Sequence, residues 1–328
     1  MRVHWLDNKL SSAKSGRNSC CDRNLFRDLN YRFRKTFTNL FNCVNKLLPR
    51  FNVSVCYNYF VDTLSQLDKY RSFSLPAWIP KLPCPNLLSN IDSCPSYSQV
   101  ARAINRCKPK SSACPMDGLS VIILKRCPML RTVLHHIITA CWEQGAIPIC
   151  WKMGGTVLIY KKGDSNEPEN YRPITLQPVW YKIFSSVYYN KIFKFVSKNN
   201  LIDKTIQKGF CKGLDGVLEH SETLAHLLRD AKNAKREITV VLLDLKNAFG
   251  SVNHNLIRAS LQHHHLPTKF LQIFNSIYND SYISVAVNRK WTAPIKIHRG
   301  VLQGDPSSPI LFNLCFNTLM ITLKQPEY

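Results

Sequence analysis

Apolar residues recur at helical spacing through most of the chain after its first hundred positions. Tyr97 to Arg106 reads as a helix, and Leu119 to Gly145 carries apolar positions three or four apart around Leu124, Leu130, Leu134, Ile137 and Ile138. Trp180 to Asn199 and Val217 to Lys235 predict two long helices, and shorter ones follow over Asn255 to about Leu261 and Lys269 to Tyr278. Thr156-Val157-Leu158-Ile159-Tyr160 reads as a strand that runs into Lys161-Lys162-Gly163-Asp164, where Gly-Asp signals a turn. Ile238 to Leu243 is continuously apolar and rich in β-branched residues, the pattern of a buried strand. Tyr282 to Val287 and Ile295 to His298 alternate and can pair as a hairpin around Asn288 to Pro294. Asp305 is then expected as an N-cap, with Pro306 at the first helical position, opening a helix through Leu311, Leu314 and Leu319. The class is α+β, without an internal repeat.

The front of the chain is different. Up to about Arg50, basic residues such as Arg17, Arg23, Arg27, Arg32, Arg34 and Lys35 interleave with Leu25, Phe26, Leu29, Tyr31, Phe33 and Phe37, which predicts helix. Such a helix is either a solvated face or an arm that touches nucleic acid. Pro76, Pro80, Pro83, Pro85 and Pro95 then break any helix and predict a linker or an extended surface segment. The division expected is a basic extension and Pro-rich linker over 1–95, and two further regions over 96–237 and 238–328.

Charge sharpens this picture. Lys and Arg number 44 against 21 Asp and Glu, a formal charge of +23, spread along most of the chain rather than in one block. That distribution suits a long polyanion in a groove, with nucleic acid first among candidates because phosphate contacts release counterions. Hydrophobic residues at 45% exclude a wholly disordered chain. No apolar run approaches the roughly 20 residues that span a bilayer, and no lipidation motif or secretory leader is present, so an intracellular protein without a membrane partner is expected. The 13 cysteines include no C-x-x-C pair and, apart from the adjacent Cys20-Cys21, lie far apart, which predicts reduced, mostly buried thiols rather than a disulfide framework or zinc knuckle. His263-His264-His265 falls at a helix end, where the three rings point in different directions; a solvated polar cap is expected rather than a metal site.

Three segments carry candidate chemistry. In the first, the apolar run Ile238 to Leu243 ends in Asp244, followed by Leu245-Lys246-Asn247-Ala248-Phe249. A carboxylate there caps the next helix, joins an ion pair or ligates a divalent cation. The second is His298-Arg299-Gly300-Val301-Leu302-Gln303-Gly304-Asp305-Pro306-Ser307-Ser308-Pro309. A tight loop ending in a cap accounts for Gly304 to Pro306 but gives no reason for Gln303 and Arg299; glycines that let the backbone approach a phosphate are the functional alternative. The third sets Lys161 and Lys162 on a turn and Arg172 on the returning segment Asn170-Tyr171-Arg172-Pro173-Ile174, either a solvated basic hairpin tip or a phosphate clamp.

In this order, the segments resemble the reverse transcriptase domain of non-LTR (LINE-like) retrotransposons, from about Cys107 to Leu319. Lys108 to Leu119 with Met116-Asp117-Gly118, Gly145-Ala146-Ile147-Pro148 with Trp151-Lys152, Lys161 to Asp164 and Asn170 to Ile174 are similar to the family's fingers blocks. Gln207-Lys208-Gly209-Phe210 resembles the block that follows, Asp244 to Phe249 resembles palm motif A, and Arg299 to Pro309 with Leu311-Phe312-Asn313-Leu314 resembles motif B. Gly250, Met116 and Ser307 depart from the common pattern, where Asp, Pro and an apolar residue are usual.

The resemblance implies a right-hand polymerase that copies an RNA template from a DNA primer, using deoxynucleoside triphosphates and two Mg²⁺ ions. It implies that Asp244 is a metal ligand, that the Leu245 carbonyl faces the second ion, and that Phe249 lies under the incoming sugar. Arg172 with Lys161 or Lys162 would hold the triphosphate, and Gln303 and Gly304 would line the pocket near the nascent base pair. Regions 96–237 and 238–328 become fingers and a partial palm, and the nucleus is favoured over the cytoplasm. No aromatic-Ala-Asp-Asp tetrapeptide, the family's motif C, occurs in the 328 residues. The expectation is a domain cut off after motif B, without the motif C hairpin and thumb, that does not polymerise by itself and leaves the Ile238 to Leu243 strand uncovered. The alternatives are a nucleic-acid-binding remnant without catalysis, a group II intron maturase-type fragment, and a scaffold that keeps the fold alone.

Overall fold

The computed structural model describes residues 49–65, 74–85, 91–108, 114–211 and 213–323. The basic helix expected before Arg50 lies almost wholly outside them. Among the described residues the architecture is mixed α/β, a helical body joined to one small sheet.

The first described helix, α1 (Val53–Phe60), is capped by Asn52, whose side chain accepts from the Val55 N–H, and continues as a π-helical turn over Val61–Ser65. After the proline-rich stretch, α2 (Tyr97–Arg106) opens on a capping box: the Ser96 hydroxyl takes the Gln99 N–H, and the Gln99 side chain takes the Ser96 N–H. The helical pattern from Leu119 to Gly145 proves to be two helices, α3 (Val121–Arg126) and α4 (Pro128–Gln144), because Pro128 cannot continue α3 but suits the first position of α4. Gly145 ends α4 in the left-handed conformation, φ 67°.

Strands β1 (Met153–Tyr160) and β2 (Tyr171–Leu176) form an antiparallel pair, with Ile159 opposite Arg172. The long helices α5 (Val179–Lys198) and α6 (Gly216–Asn233) fall close to the expected bounds. They differ in what they bury. Eleven α5 residues are buried, Tyr181, Phe184 and Tyr188 among them, whereas α6 buries Ala231 alone. A short α7 (Ala248–Ser251), then α8 (His254–His263) and α9 (Thr268–Tyr278), lead to β3 (Tyr282–Val287).

Strand β3 turns through Asn288 and Arg289, both at positive φ, into β4 (Lys290–Trp291), the geometry of a tight hairpin. Next to β4, β5 (Ile295–Lys296) takes the other half of the same β3 edge. β3 joins β1 in parallel, so the sheet runs β2-β1-β3-β4. The chain finishes its described part in α10 (Ser308–Leu323).

Two cores result. The larger gathers α2 to α5 and α8 to α10 around Trp142, Phe184, Tyr188 and Phe270. The Trp142 and Phe270 rings meet edge to face at 5.6 Å, and the Tyr188 hydroxyl donates to the Phe270 carbonyl at 2.9 Å. Part of the proline-rich stretch is strapped to this core rather than free. The Trp142 indole N–H donates to the Asp92 carbonyl at 2.7 Å, and the buried Lys191 ammonium, 5.0 Å from the Trp142 ring centre, donates to the carbonyls of Ile91 and Ser93. The smaller core lies between α1 and the sheet, where Phe51, Cys56, Phe60 and Leu64 meet Leu158, Ile283, Val285 and Ile297.

Four expectations are corrected. Ile238 to Leu243 is not a buried strand: residues 236–245 have no regular structure, and Val241, Leu242 and Leu243 are 71%, 86% and 89% exposed. An apolar run becomes a strand only where a neighbour takes its backbone hydrogen bonds, and no described strand lies beside it. His264 is not a solvated cap but fully buried. Asp305 does not open the last helix; α10 begins at Ser308, and the Asp305 carboxylate is enclosed, accepting from the Tyr181 hydroxyl (2.8 Å), the Ser307 N–H (3.1 Å) and the Ser185 hydroxyl. The described cysteines are free thiols, as expected, but only Cys56, Cys114, Cys141 and Cys315 of the ten are buried.

Candidate functional site

Alternation along β2 decides which residues reach the main cleft. Successive side chains of a strand point to opposite faces, so Tyr171, Pro173 and Thr175 line a cavity of about 320 Å³ while Arg172, between them, stands exposed on the other side. Lys161 and Lys162, on the turn that joins β1 to β2, line the same cavity. That turn is built by its own polar residues. The Lys161 N–H donates to the Asn170 carbonyl at 2.9 Å, and the Asn170 amide reaches the Asp164 carbonyl at 2.8 Å.

The opposite wall is Gln303 with Val301 and Leu302. The Gln303 carbonyl accepts from the Thr175 N–H at 2.7 Å, which ties the 301–305 turn to β2. Gly304 makes that tie possible: its φ is 117°, and a Cβ there would lie 2.4 Å from the Thr175 carbonyl oxygen. The 296–301 segment is held from two further sides. Gly300 and Val301 donate to the carbonyls of Val252 and Phe249, and the Arg299 guanidinium donates to the carbonyls of Thr63 (2.6 Å) and Asp62 (3.1 Å). Arg299, unexplained by the loop reading, is thus the anchor of the π-helical turn.

The third wall comes from Lys246, Asn247 and Gly250, just after Asp244. Lys246 forms an ion pair with Glu169 at 3.2 Å, both groups well exposed, so its contribution to stability is small. Phe249 itself packs inward, 5.0 Å from Phe312 and 5.7 Å from Phe210, against the larger core. Asp244 and Leu245 are exposed and lie outside the cavity lining.

The cavity therefore brings together Lys161, Lys162 and Gln303, borders on Gly304, and leaves Arg172, Phe249, Asp244 and Leu245 aside. Sequence reasoning missed the fourth wall, Tyr59, Phe60, Thr63 and Leu64. Its signal was the spacing of Cys56, Phe60 and Leu64, four apart after an Asn N-cap, and Asn52 does cap α1. Burial raises the pKa of the Tyr59 phenol, keeping it a neutral hydrogen-bonding group at this wall.

A divalent cation needs several oxygen donors at once. Among the described residues, no three His, Cys, Asp or Glu lie close enough to hold one, so the donors around Asp244 do not by themselves fit a two-ion site. No described helix is long and apolar enough to cross a membrane.

Residues 159–327 match the reverse transcriptase (RNA-dependent DNA polymerase) family, a span that takes in the β1–β2 turn, Asp244 and the 299–309 loop. The chain is 30% identical over 234 residues to the retrovirus-related Pol polyprotein from type-1 retrotransposable element R2 of Popillia japonica, 70% of this chain and 31% of that protein. It is 23% identical over 233 residues to the transposon TX1 uncharacterized 149 kDa protein of Xenopus laevis, 70% of this chain and 17% of that one. To the probable RNA-directed DNA polymerase from transposon BS of Drosophila melanogaster it is 24% identical over 256 residues, 78% of this chain and 26% of that protein. The chain belongs to the reverse transcriptase family, with a reverse transcriptase domain of the non-LTR retrotransposon type. It spans about a third or less of the length of these relatives. Family members normally use a divalent metal and take an RNA template and deoxynucleoside triphosphates.

Proposed function

We propose that the 320 Å³ cavity is the incoming-nucleotide site of an RNA-directed DNA polymerase, within fingers and a part of the palm. The observation that carries this reading is convergence. Three segments far apart in sequence, at 161–162, 246–250 and 301–303, supply one cavity with three lysines, two amides and a glycine backbone. Lys161 and Lys162 bind the triphosphate as compact charges, and Gln303, with the Gly304 backbone beside it, faces the nascent base pair. Asp244 and the Leu245 carbonyl lie outside the cavity lining and would face a metal only with further oxygen donors beside them, while Phe249 supports the cavity from the core side, its carbonyl accepting from the N–H of Val301. Arg172, on the far face of β2, takes no part in nucleotide binding. RNA template and DNA primer lie along the basic surface that the charge of +23 provides.

The 328 residues carry Asp244 but no aromatic-Ala-Asp-Asp, so on their own they hold template, primer and nucleotide without joining them. The test uses the purified chain with a primed RNA template, Mg²⁺ and a fluorescent deoxynucleoside triphosphate. Binding that weakens about tenfold in Lys161→Glu/Lys162→Glu, with Arg172→Glu close to wild type, supports the cavity reading. Equal affinity in all three proteins overturns it, and primer extension above an Asp244→Ala control overturns the claim that the chain binds without catalysis.

A further inference from the structure

Asp305 is the most enclosed acidic group near the site, and the nucleotide reading gives it no task. It is 4% exposed, and both carboxylate oxygens are occupied: Oδ2 by the Tyr181 hydroxyl at 2.8 Å, and Oδ1 by the Ser307 N–H at 3.1 Å and the Ser185 hydroxyl. Tyr181 and Ser185 belong to α5 and are themselves 1% and 0% exposed, so this is a built site, not a surface contact. Burial raises the pKa of the carboxyl and holds Tyr181 well above the usual phenol range, which keeps the hydroxyl a donor. The carboxylate does not line the cavity, so it is no ligand of the nucleotide.

Its neighbours do line it. Asp305 ends the turn that presents Gln303, and the N–H of Asp305 closes that turn on the Leu302 carbonyl at 3.3 Å. On its other side the turn is held by the Gln303 carbonyl on Thr175. Between these tethers Gly304 sits at φ 117°, a conformation open to glycine and rarely to other residues, so the turn's shape is set by the bonds at its two ends. We propose that Asp305 is a positioning residue: clamped to α5 through Tyr181 and Ser185, it fixes the turn that carries Gln303 into the cavity. The proposal rests on the nucleotide reading for its functional consequence, but the clamp is measurable without it.

Two single variants of the full chain, Tyr181→Phe and Ser185→Ala, test the clamp. Each leaves the other hydroxyl on the carboxylate, so the buried charge is never stranded, and if one fails to fold the other decides. Hydrogen exchange of the peptide over 299–309 should quicken about tenfold, with the protection of α10 and of the rest of α5 unchanged. Nucleotide affinity on a primed RNA template should fall with it, while affinity for the template–primer alone stays within about twofold. Unchanged exchange over 299–309 overturns the proposal. So does loosening spread equally over α5 and α10, which marks a general packing role, and so does a loosened turn with full nucleotide affinity. If the wild-type chain takes no nucleotide, the cavity reading fails, and the exchange measurement still decides whether Asp305 fixes the turn.

Discussion

His264 shows how a single side chain can reverse the meaning of a sequence pattern. Its Nε2 faces the Asn317 amide nitrogen at 2.9 Å, which can only donate, and its Nδ1 faces the Ser260 carbonyl at 2.7 Å, which can only accept. The ring is therefore neutral, with the proton on Nδ1, and burial lowers its pKa to about 4. Because the folded pKa lies below that of the unfolded chain, the unfolded chain takes the proton first. This contribution to stability is full above about pH 6.5 and is lost as pH falls toward 4, about 3 kcal/mol in all. Denaturant midpoints between pH 7 and 4 should thus slope less in His264→Asn than in wild type, and parallel slopes would refute the assignment. Asp305 works against this trend, since its raised pKa favours the folded state as pH falls, which is why the comparison is made between two proteins sharing it. Neither burial was legible: three adjacent histidines and an Asp before Pro both carry strong local meanings, a polar cap and an N-cap, and long-range partners 53 and 124 residues away override them. Gly304 was readable as a turn residue, but not its contact with Thr175. Gly304→Ala should cost about 1–3 kcal/mol through its positive φ alone, seen as a lower denaturant midpoint.

At the scale of elements, the longer helices and the β1–β2 pair were legible because each carries its own periodicity and stop signals, Ser96 before α2 and Gly145 after α4. Of the expected pairing of Tyr282–Val287 with Ile295–His298, Ile295 and Lys296 do pair with β3, but the tight turn at Asn288-Arg289 into β4 was not read. Ile238 to Leu243 was misread for the opposite reason. A strand has no internal hydrogen bonds, so its pattern states a preference that only a neighbour can satisfy, whereas a helix satisfies its own. With Leu242 and Leu243 nearly fully exposed, the segment adds no packing here and offers an unpaired apolar edge. Leu242→Lys should leave the melting temperature unchanged while reducing light scattering at high protein concentration. A drop in melting temperature would instead show that this segment packs in solution. Helix α6, with only Ala231 buried, also lacks tertiary support, and its amides should exchange far faster than those of α5, whose eleven buried residues anchor it.

Across the whole molecule, charge was the most legible property and the least informative about shape. The excess of 44 basic over 21 acidic residues suits a polyanion, and members of the family take an RNA template, but neither locates a groove on this chain. What the fold adds is a division of labour among cations. Lys161 and Lys162 line an open cavity, Lys191 is held inside the core by Ile91 and Ser93, and Arg299 is tied to the π-helical turn. Arg172 is exposed on a sheet face and remains for the solvent side. Affinity for primed RNA should therefore come from many exposed cations acting together, each replaceable. The plot of log affinity against log salt should be steep, a loss of roughly a thousandfold or more from about 50 to 200 mM salt if six or more phosphates are neutralised. Arg172→Glu should shift the line modestly and reduce its slope by about one contact or two, whereas Lys191→Met should lower thermal stability and leave the slope alone. Affinity indifferent to salt would mean that the positive field is not what holds the nucleic acid. An equal change of slope in Lys191→Met would mean that this lysine is not the buried strut that its contacts with Ile91, Ser93 and Trp142 make it.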